Sequence, residues 1–399
     1  MHILLPQRAG RSLWFAQPAL AWRRIISKKF LDVGTVLCTL KPWEYPFVSL
    51  FPYFSHYFPW FSIHYLKSRH LRSRSIVQQH KCALGITTLA KQDSVCRRIR
   101  NFLSKFSFNP GDIARALVEM SQRRGLLHLA IDRTNWKFGG IDINLLVLAV
   151  MVSEQFSIPL FWKALPKKGN SNTTERIDIL QLFIKTFGRK RIGSLIADRE
   201  FIGKTWVDFL VNQEIPFFIR VKENRLVEWG KIHRHLGVFF RHLKIGEKRH
   251  TQHRFDGHLL YFAGTRSKEG ELVIVVSNQD VGGKILEIYK KRWTIELMFR
   301  HCKTNGFNLE DTHLKDLKRI ETLFAAVVSA LTLVFLVGQK EESLSPTPYK
   351  KSVKCHAFST FRRGFDFLRK LLIQSKTQAI QCIVELFFPP TQALFHGSI

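Results

Sequence analysis

The sequence predicts an α/β fold, and three observations carry that reading. Apolar runs of strand length stand at 126–131, 141–152, 157–164, 193–197 and 216–222. Helical stretches separate the last three of them, one opened by Asn172-Thr-Thr-Glu175, which reads as a capping box, and one from about Lys204 to Asn212. Two of the runs end on an acid: Asp132 closes Gly125-Leu-Leu-His-Leu-Ala-Ile131, and Asp198 closes Gly193-Ser-Leu-Ile-Ala197. The carboxyl ends of buried strands are where open α/β sheets place their chemistry. Each aspartate also suits the plainer role of helix cap or turn residue.

Taken in order, residues 1–62 form an atypical extension. The first 110 residues hold seventeen Lys and Arg against Asp32, Glu44 and Asp93, and Tyr45 to Tyr65 packs ten aromatic residues between Pro46, Pro52 and Pro59. The prolines break any helix, and no period of 2 or 3.6 emerges. Arg8, Arg11, Arg23 and Arg24 interrupt every candidate signal segment. We read 1–62 as non-native or disordered, a reading-frame accident rather than a transit peptide. Region 63–122 reads as a helical DNA-binding region: Asp93 caps a helix whose Val95, Ile99, Phe102 and Leu103 share a face, while Arg97, Arg98 and Arg100 stand elsewhere. The α/β core occupies 123–224 and resumes at 286–340. Strand signals at Leu259–Gly264 and Leu272–Ser277 make 225–285 a β-rich insertion. Within 286–340, Leu323–Val337 falls short of the roughly 20 residues of a membrane span and carries Ser329 and Thr332, so it reads as a buried helix. Residues 341–399 are a helical region and tail.

One helix face is unusual. Tyr289, Arg292, Glu296 and Lys303 are spaced so that about 100° per residue gathers them into a stripe roughly 60° wide. A carboxylate among two cations and a phenol makes poor core material. It suits a site that holds a divalent metal through Glu296 and grips phosphates through Arg292 and Lys303. The plainer reading is a solvated helix face. Asp132 and Asp198 shift the balance, because two strand-end aspartates and a helical glutamate can meet at one point.

The pattern Tyr-x2-Arg-x3-Glu-x6-Lys, met residue for residue by these four, resembles the signature of the insertion-sequence-four type of bacterial DDE transposase. Similar to the same family are Ala130-Ile-Asp-Arg-Thr-Asn-Trp-Lys137, Leu165-Pro-Lys-Lys-Gly-Asn-Ser171, Ala197-Asp-Arg-Glu-Phe-Ile-Gly203 and Gly306-Phe-Asn-Leu-Glu-Asp-Thr-His313. The resemblance runs from about Ser75 to about Leu372. It implies a ribonuclease H-like catalytic core with a β-rich insertion, Asp132, Asp198 and Glu296 as the catalytic triad, and two Mg²⁺ or Mn²⁺ ions held by those three. It further implies DNA as substrate, at the element's terminal inverted repeats and at a target, excision through a hairpin intermediate, a homodimeric synaptic complex and a place in the bacterial nucleoid. The expected DNA contacts are Tyr289, Arg292, Lys303, Lys167, Lys168 and Arg199. The loop Lys167-Lys168-Gly169-Asn170 precedes a helix amino end and suits a phosphate. Trp293 suits stacking on a displaced base, and suits the core better. The Asp93 helix fits a DNA backbone and a basic surface equally.

Composition agrees with a DNA-working enzyme. Sixty-two Lys and Arg against thirty-one Asp and Glu give a net charge of +31, spread along the chain, and dispersed cations favour a polyanion through counterion release. Cys38, Cys82, Cys96, Cys302, Cys355 and Cys382 form no Cys-x-x-Cys pair, so neither a structural zinc nor a thioredoxin-like motif is indicated. His233, His235, His242, His250, His253 and His258 read as basic surface rather than ligands. No Gly-x4-Gly-Lys-Ser/Thr loop occurs, so no nucleotide is expected. Two other functions fit the same residues: a DNA-binding protein that keeps the fold without the chemistry, and a ribonuclease H-like nuclease that cuts without joining.

Overall fold

A computed structural model describes residues 91–304, 306–352 and 355–387. The extension at 1–62 and the first part of the helical region lie outside the described residues. Helix α1 (Gln92–Lys105) buries Val95, Ile99 and Leu103 and exposes Arg97, Arg98 and Arg100. Its cap position is Lys91 rather than Asp93, which sits in the first turn where the helix dipole favours an acid. Helix α2 (Pro110–Met120) starts with proline and is capped by Asn109, whose side chain accepts from the Gly111 N–H.

Three antiparallel strands follow, β1 (Leu127–Phe138), β2 (Ile141–Ser153) and β3 (Phe156–Leu165). Helix α3 (Thr173–Phe187) carries the expected capping box, with Asn172 and Glu175 each accepting the other's backbone N–H. Then come β4 (Ile192–Ala197), α4 (Lys204–Asn212) and β5 (Phe217–Val221), with β4 parallel to both β1 and β5. Three antiparallel strands extended by two parallel ones is the ribonuclease H-like arrangement.

The insertion supplies β6 (Leu226–Trp229), β7 (Ile232–His235), β8 (Lys248–Phe255), β9 (His258–Arg266) and β10 (Leu272–Ser277). It continues the same sheet, because β10 pairs antiparallel with β5, giving the order β3-β2-β1-β4-β5-β10-β9-β8-β6-β7. Two short helices follow, α5 (Ile285–Lys290) and α6 (Trp293–Cys302). The single helix expected through 289–303 is thus corrected to two. At the break the Arg292 N–H bonds Tyr289 O and the Ile295 N–H bonds Arg292 O, three residues back instead of four, while the backbone stays right-handed helical.

Asp132 also differs from expectation. It lies inside β1, and Arg133 to Trp136 are strand rather than turn. The reason is pairing: β2 accompanies β1 as far as Phe138 opposite Ile141, whereas β4 stops at Ala197, opposite Ile131. Thr134 and Trp136 are buried between exposed Asn135 and Lys137, the alternation of a half-buried strand.

Helix α7 (Leu317–Leu344) is longer than the apolar run predicted it to be. It is long and apolar enough to cross a membrane by length and composition, yet 89% of its apolar stretch is buried inside the structure. Phe335 stacks on Phe156 of β3 at 4.0 Å, and Trp162 of β3 donates to Glu321 O at 3.1 Å. The hairpin β11 (Tyr349–Lys350) and β12 (Cys355–His356) leads to α8 (Thr360–Gln374) and α9 (Lys376–Phe387). Helices α7 and α8 meet backbone to backbone: a Cβ on Gly364 would lie 2.6 Å from Gly338 N and collide with Val334 O.

Gly364→Ala therefore tests this crossing. The gain in helix propensity, about 1 kcal/mol, is outweighed by forced separation of the helices, and overpacking of this kind costs typically ~1–3 kcal/mol beyond it. A lowered midpoint in denaturant unfolding is expected; a midpoint equal to or above wild type would show that the helices are not held this close.

Candidate active site

Asp132, inside β1, and Asp198, the residue just past β4, occupy equivalent positions relative to the last rung of two adjacent parallel strands. The last rung between β1 and β4 joins Ile131 to Ala197, and each aspartate is the next residue. Strands in one sheet stand about 4.8 Å apart, so the two acids are neighbours by register. The Asp132 Oδ1 accepts the Arg133 N–H at 2.7 Å.

The break between α5 and α6 places a cation over them. The Arg292 Nη1 donates to Asp132 Oδ2 at 3.3 Å, and its Nη2 forms a short ion pair with Glu296 Oε1, one turn on. The guanidinium lies 5.8 Å from the centre of the Tyr289 ring, and the Tyr289 hydroxyl donates to Asp198 Oδ1 at 3.2 Å. Asp132, Asp198 and Glu296 are thereby gathered around Arg292 and Tyr289. The side chains of Asp132 and Arg292 are only 15% and 16% exposed, so these contacts act largely out of water.

Burial, joined by the charges of Asp198 and Glu200, pushes the Asp132 carboxyl up to about 7 against the opposing effects of the Arg133 N–H and the Arg292 charge. The Tyr289 hydroxyl is pushed well above its ordinary value by burial. Arg292 is raised too: burial works against its charge, but Tyr289, Asp198, Asp132 and Glu296 prevail.

The remaining candidates are placed as follows. Lys303 ends α6 and turns to β1, donating to Asn135 O at 2.8 Å and pairing with Glu310 at 2.8 Å, above the Trp136 ring. Lys167 pairs with Glu175, the capping-box acid of α3, at 2.8 Å. Lys168 and Arg199 are exposed on the loops after β3 and β4. Trp293 is 51% exposed with Arg300 stacked 5.7 Å from its ring, which corrects the core reading. It falls outside the stripe of Thr294, Ile295, Met298, Phe299 and Cys302 that α6 buries.

Sequence reasoning missed Arg133, Asn144 and Glu200. Arg133 holds Glu200 through two hydrogen bonds and reaches Asn144 at 3.0 Å. The signals were present: a lone asparagine inside the apolar run of β2, and an acid and a base just past the two aspartates.

The donor set fits a hard divalent cation. Three carboxylates with no thiol or imidazole among them favour Mg²⁺ or Mn²⁺ over softer metals, and a cation, the guanidinium, already lies against two of them. As the side chains stand, no group of three His, Cys, Asp or Glu among the described residues is close enough to hold an ion together.

The family model described as a transposase DDE domain matches residues 123–333, more than half of the chain. No curated protein matches in sequence. Among solved structures, the chain is similar to a piggyBac transposase synaptic complex with hairpin DNA, at 12% identity and a TM-score of 0.45 over 82% of this chain and 75% of that one. It is also similar to endonuclease V from Bacillus subtilis, at 9% identity and a TM-score of 0.24 over 49% of this chain and 85% of that one.

The raised Asp132 carboxyl has a consequence for stability. An unfolded aspartate titrates near 3.9, so between about 4 and about 7 the folded state binds a proton that the unfolded chain releases. Stability contributed by that proton is present at low pH and lost as pH rises through 7. In metal-free buffer the stability of Asp132→Asn relative to wild type should therefore improve from pH 5 to pH 8, read as the difference in unfolding midpoint. A difference that stays flat or narrows would mean that Asp132 is ionised without cost.

Proposed function

The chain belongs to the transposase DDE domain family, and from that premise we propose how its residues carry out the reaction. It is a metal-dependent DNA transposase. The reading we add is that it excises and inserts an insertion-sequence element of the insertion-sequence-four type, through a hairpin intermediate, as a homodimer joined to the element's inverted repeats and to target DNA in the bacterial nucleoid. The observation that carries the assignment of residues is the single guanidinium shared by Asp132 and Glu296, with Asp198 one strand away at the same register.

Asp132, Asp198 and Glu296 would hold two ions, Mg²⁺ or Mn²⁺. When bound there, such ions activate the attacking oxygen and stabilise the departing 3′ oxygen. The protein's own share is positional. Strand β1 carries Asp132, the end of β4 leads directly into Asp198, and α6 holds Glu296 in its first turn. The Tyr289 hydroxyl orients Asp198 through its hydrogen bond. Arg292 supplies a planar fork that neutralises the carboxylates and matches a phosphate equally well. Lys168 and Arg199 flank the strand ends as exposed cations for the DNA backbone.

Two substitutions test this assignment. Glu296→Gln should lower cleavage of DNA carrying the element's ends by several orders of magnitude in Mg²⁺ or Mn²⁺ while DNA binding persists; undiminished cleavage would remove Glu296 from the site. Arg292→Lys keeps the charge but loses the fork, so a drop of roughly a hundredfold is expected from misplacement of the groups it spans. Equal rates would reduce Arg292 to a point charge.

A further inference from the structure

Beyond Ile131 and Ala197 the backbone ladder between β1 and β4 ends, so no rung holds Asp132 to Asp198. Asp132 continues in a strand, whereas Asp198 caps a 3₁₀ turn over Arg199–Phe201. A side-chain pair spans the gap. Arg133 follows Asp132, and Glu200 stands two residues after Asp198. The Arg133 Nε donates to Glu200 Oε1 at 3.1 Å, and its Nη2 donates to Glu200 Oε2 at 3.0 Å. This is the two-pronged geometry that gives an arginine–carboxylate pair its directionality, and the side chains are only 13% and 20% exposed.

The pair extends to the next loop. Arg133 also donates to Asn144 Oδ1 at 3.0 Å and Asn170 Oδ1 at 3.1 Å. Asn144, buried in β2, passes its amide hydrogens to Lys167 O and Gly169 O. On the other side Arg176 lies over the Phe201 ring, within electrostatic reach of Glu200, and donates to Ser171 Oγ at 2.9 Å. A fourth carboxylate beside three others adds repulsion, since the Glu200 charge acts on Asp132. Its two arginines offset that repulsion and turn it into a fixed joint.

We propose that Glu200 is a positioning residue for the metal-binding aspartates: through Arg133 it sets the separation of Asp132 and Asp198 where the sheet no longer does, and it ties the Lys167–Asn170 loop to the same frame. This rests on the reading of the two aspartates as metal ligands. Groups that orient ligands without touching the metal commonly govern affinity by 10–100-fold.

The test is Mn²⁺ binding to the full chain without DNA, by titration calorimetry, with near-ultraviolet circular dichroism confirming native packing. Glu200→Gln is isosteric and Arg133→Lys keeps its charge, so either arm carries the test alone. Each should raise the Mn²⁺ dissociation constant on the order of tenfold or more, and the double variant should be no worse than the weaker single, because both remove one contact. Wild-type affinity in folded Arg133→Lys, or additive losses in the double variant, would overturn the proposal, since Glu200 would then act on the metal by itself or not at all. Unchanged Mn²⁺ binding in Asp132→Asn and Asp198→Asn would instead overturn the metal assignment, and this inference with it.

Discussion

The guanidinium of Arg292 touches Asp132 and Glu296 at once, largely out of water. Bringing such ions out of water costs several kcal/mol each, and removing one partner of a buried pair costs ~3–5 kcal/mol because a bare charge remains. The site is therefore stable only if cation and carboxylates arrive together. That requirement accords with the tight turn at Lys291 and Arg292: the break sets Tyr289, in the last turn of one helix, on Asp198, and Glu296, in the first turn of the next, on the guanidinium that also meets Asp132. A straight continuation would keep the angular stripe but not this particular reach.

The same requirement gives the long segment between Asp198 and Glu296 a role. Strand β10 returns to pair with β5, and the helix that follows buries Ile285 against Ile196, Phe218, Ala263 and Val275, with Ile288 and Tyr289 packed alongside. Ile196 belongs to the strand that ends one residue before Asp198. Apolar packing thus seats the Tyr289 helix directly on the strand that leads into the second aspartate. The insertion widens the sheet, and its returning strand delivers the helix that completes the site.

Much of this was legible in the sequence because it is local. Five core strands, the Asn172 capping box and the Lys204–Asn212 helix follow from period and cap chemistry within a dozen residues. The overrun of β1 past Asp132 was not legible, since Arg133-Thr-Asn reads as a polar turn and becomes strand only when β2 lies beside it. The helix break carries neither glycine nor proline and keeps right-handed dihedrals, so nothing local announces it. Arg292 and Glu296 were recognisable as one stripe by spacing alone. That Arg292 would spend its fork on Asp132, 160 residues earlier, depends on sheet register, which no window of sequence contains.

The net charge of +31 is spread over the chain, yet the cations at the site are mostly engaged. Arg133 is held by Glu200, Lys167 by Glu175, Lys303 by Glu310 and Arg292 by Asp132 and Glu296. A cation with a buried carboxylate partner gains little from a phosphate unless that partner finds another cation, so the exchange is close to neutral in free energy. Exposed cations such as Lys168 and Arg199 would release counterions in the proposed contact with DNA, and each phosphate so neutralised would steepen the salt dependence of binding by about 0.9 in log–log slope. On the proposed reading, affinity for the duplex would be carried by the exposed set. Within the internal set, Arg292 is the cation held by the proposed metal-binding carboxylates, and its planar fork would suit a phosphate once a divalent ion neutralised Asp132 and Glu296 in its place.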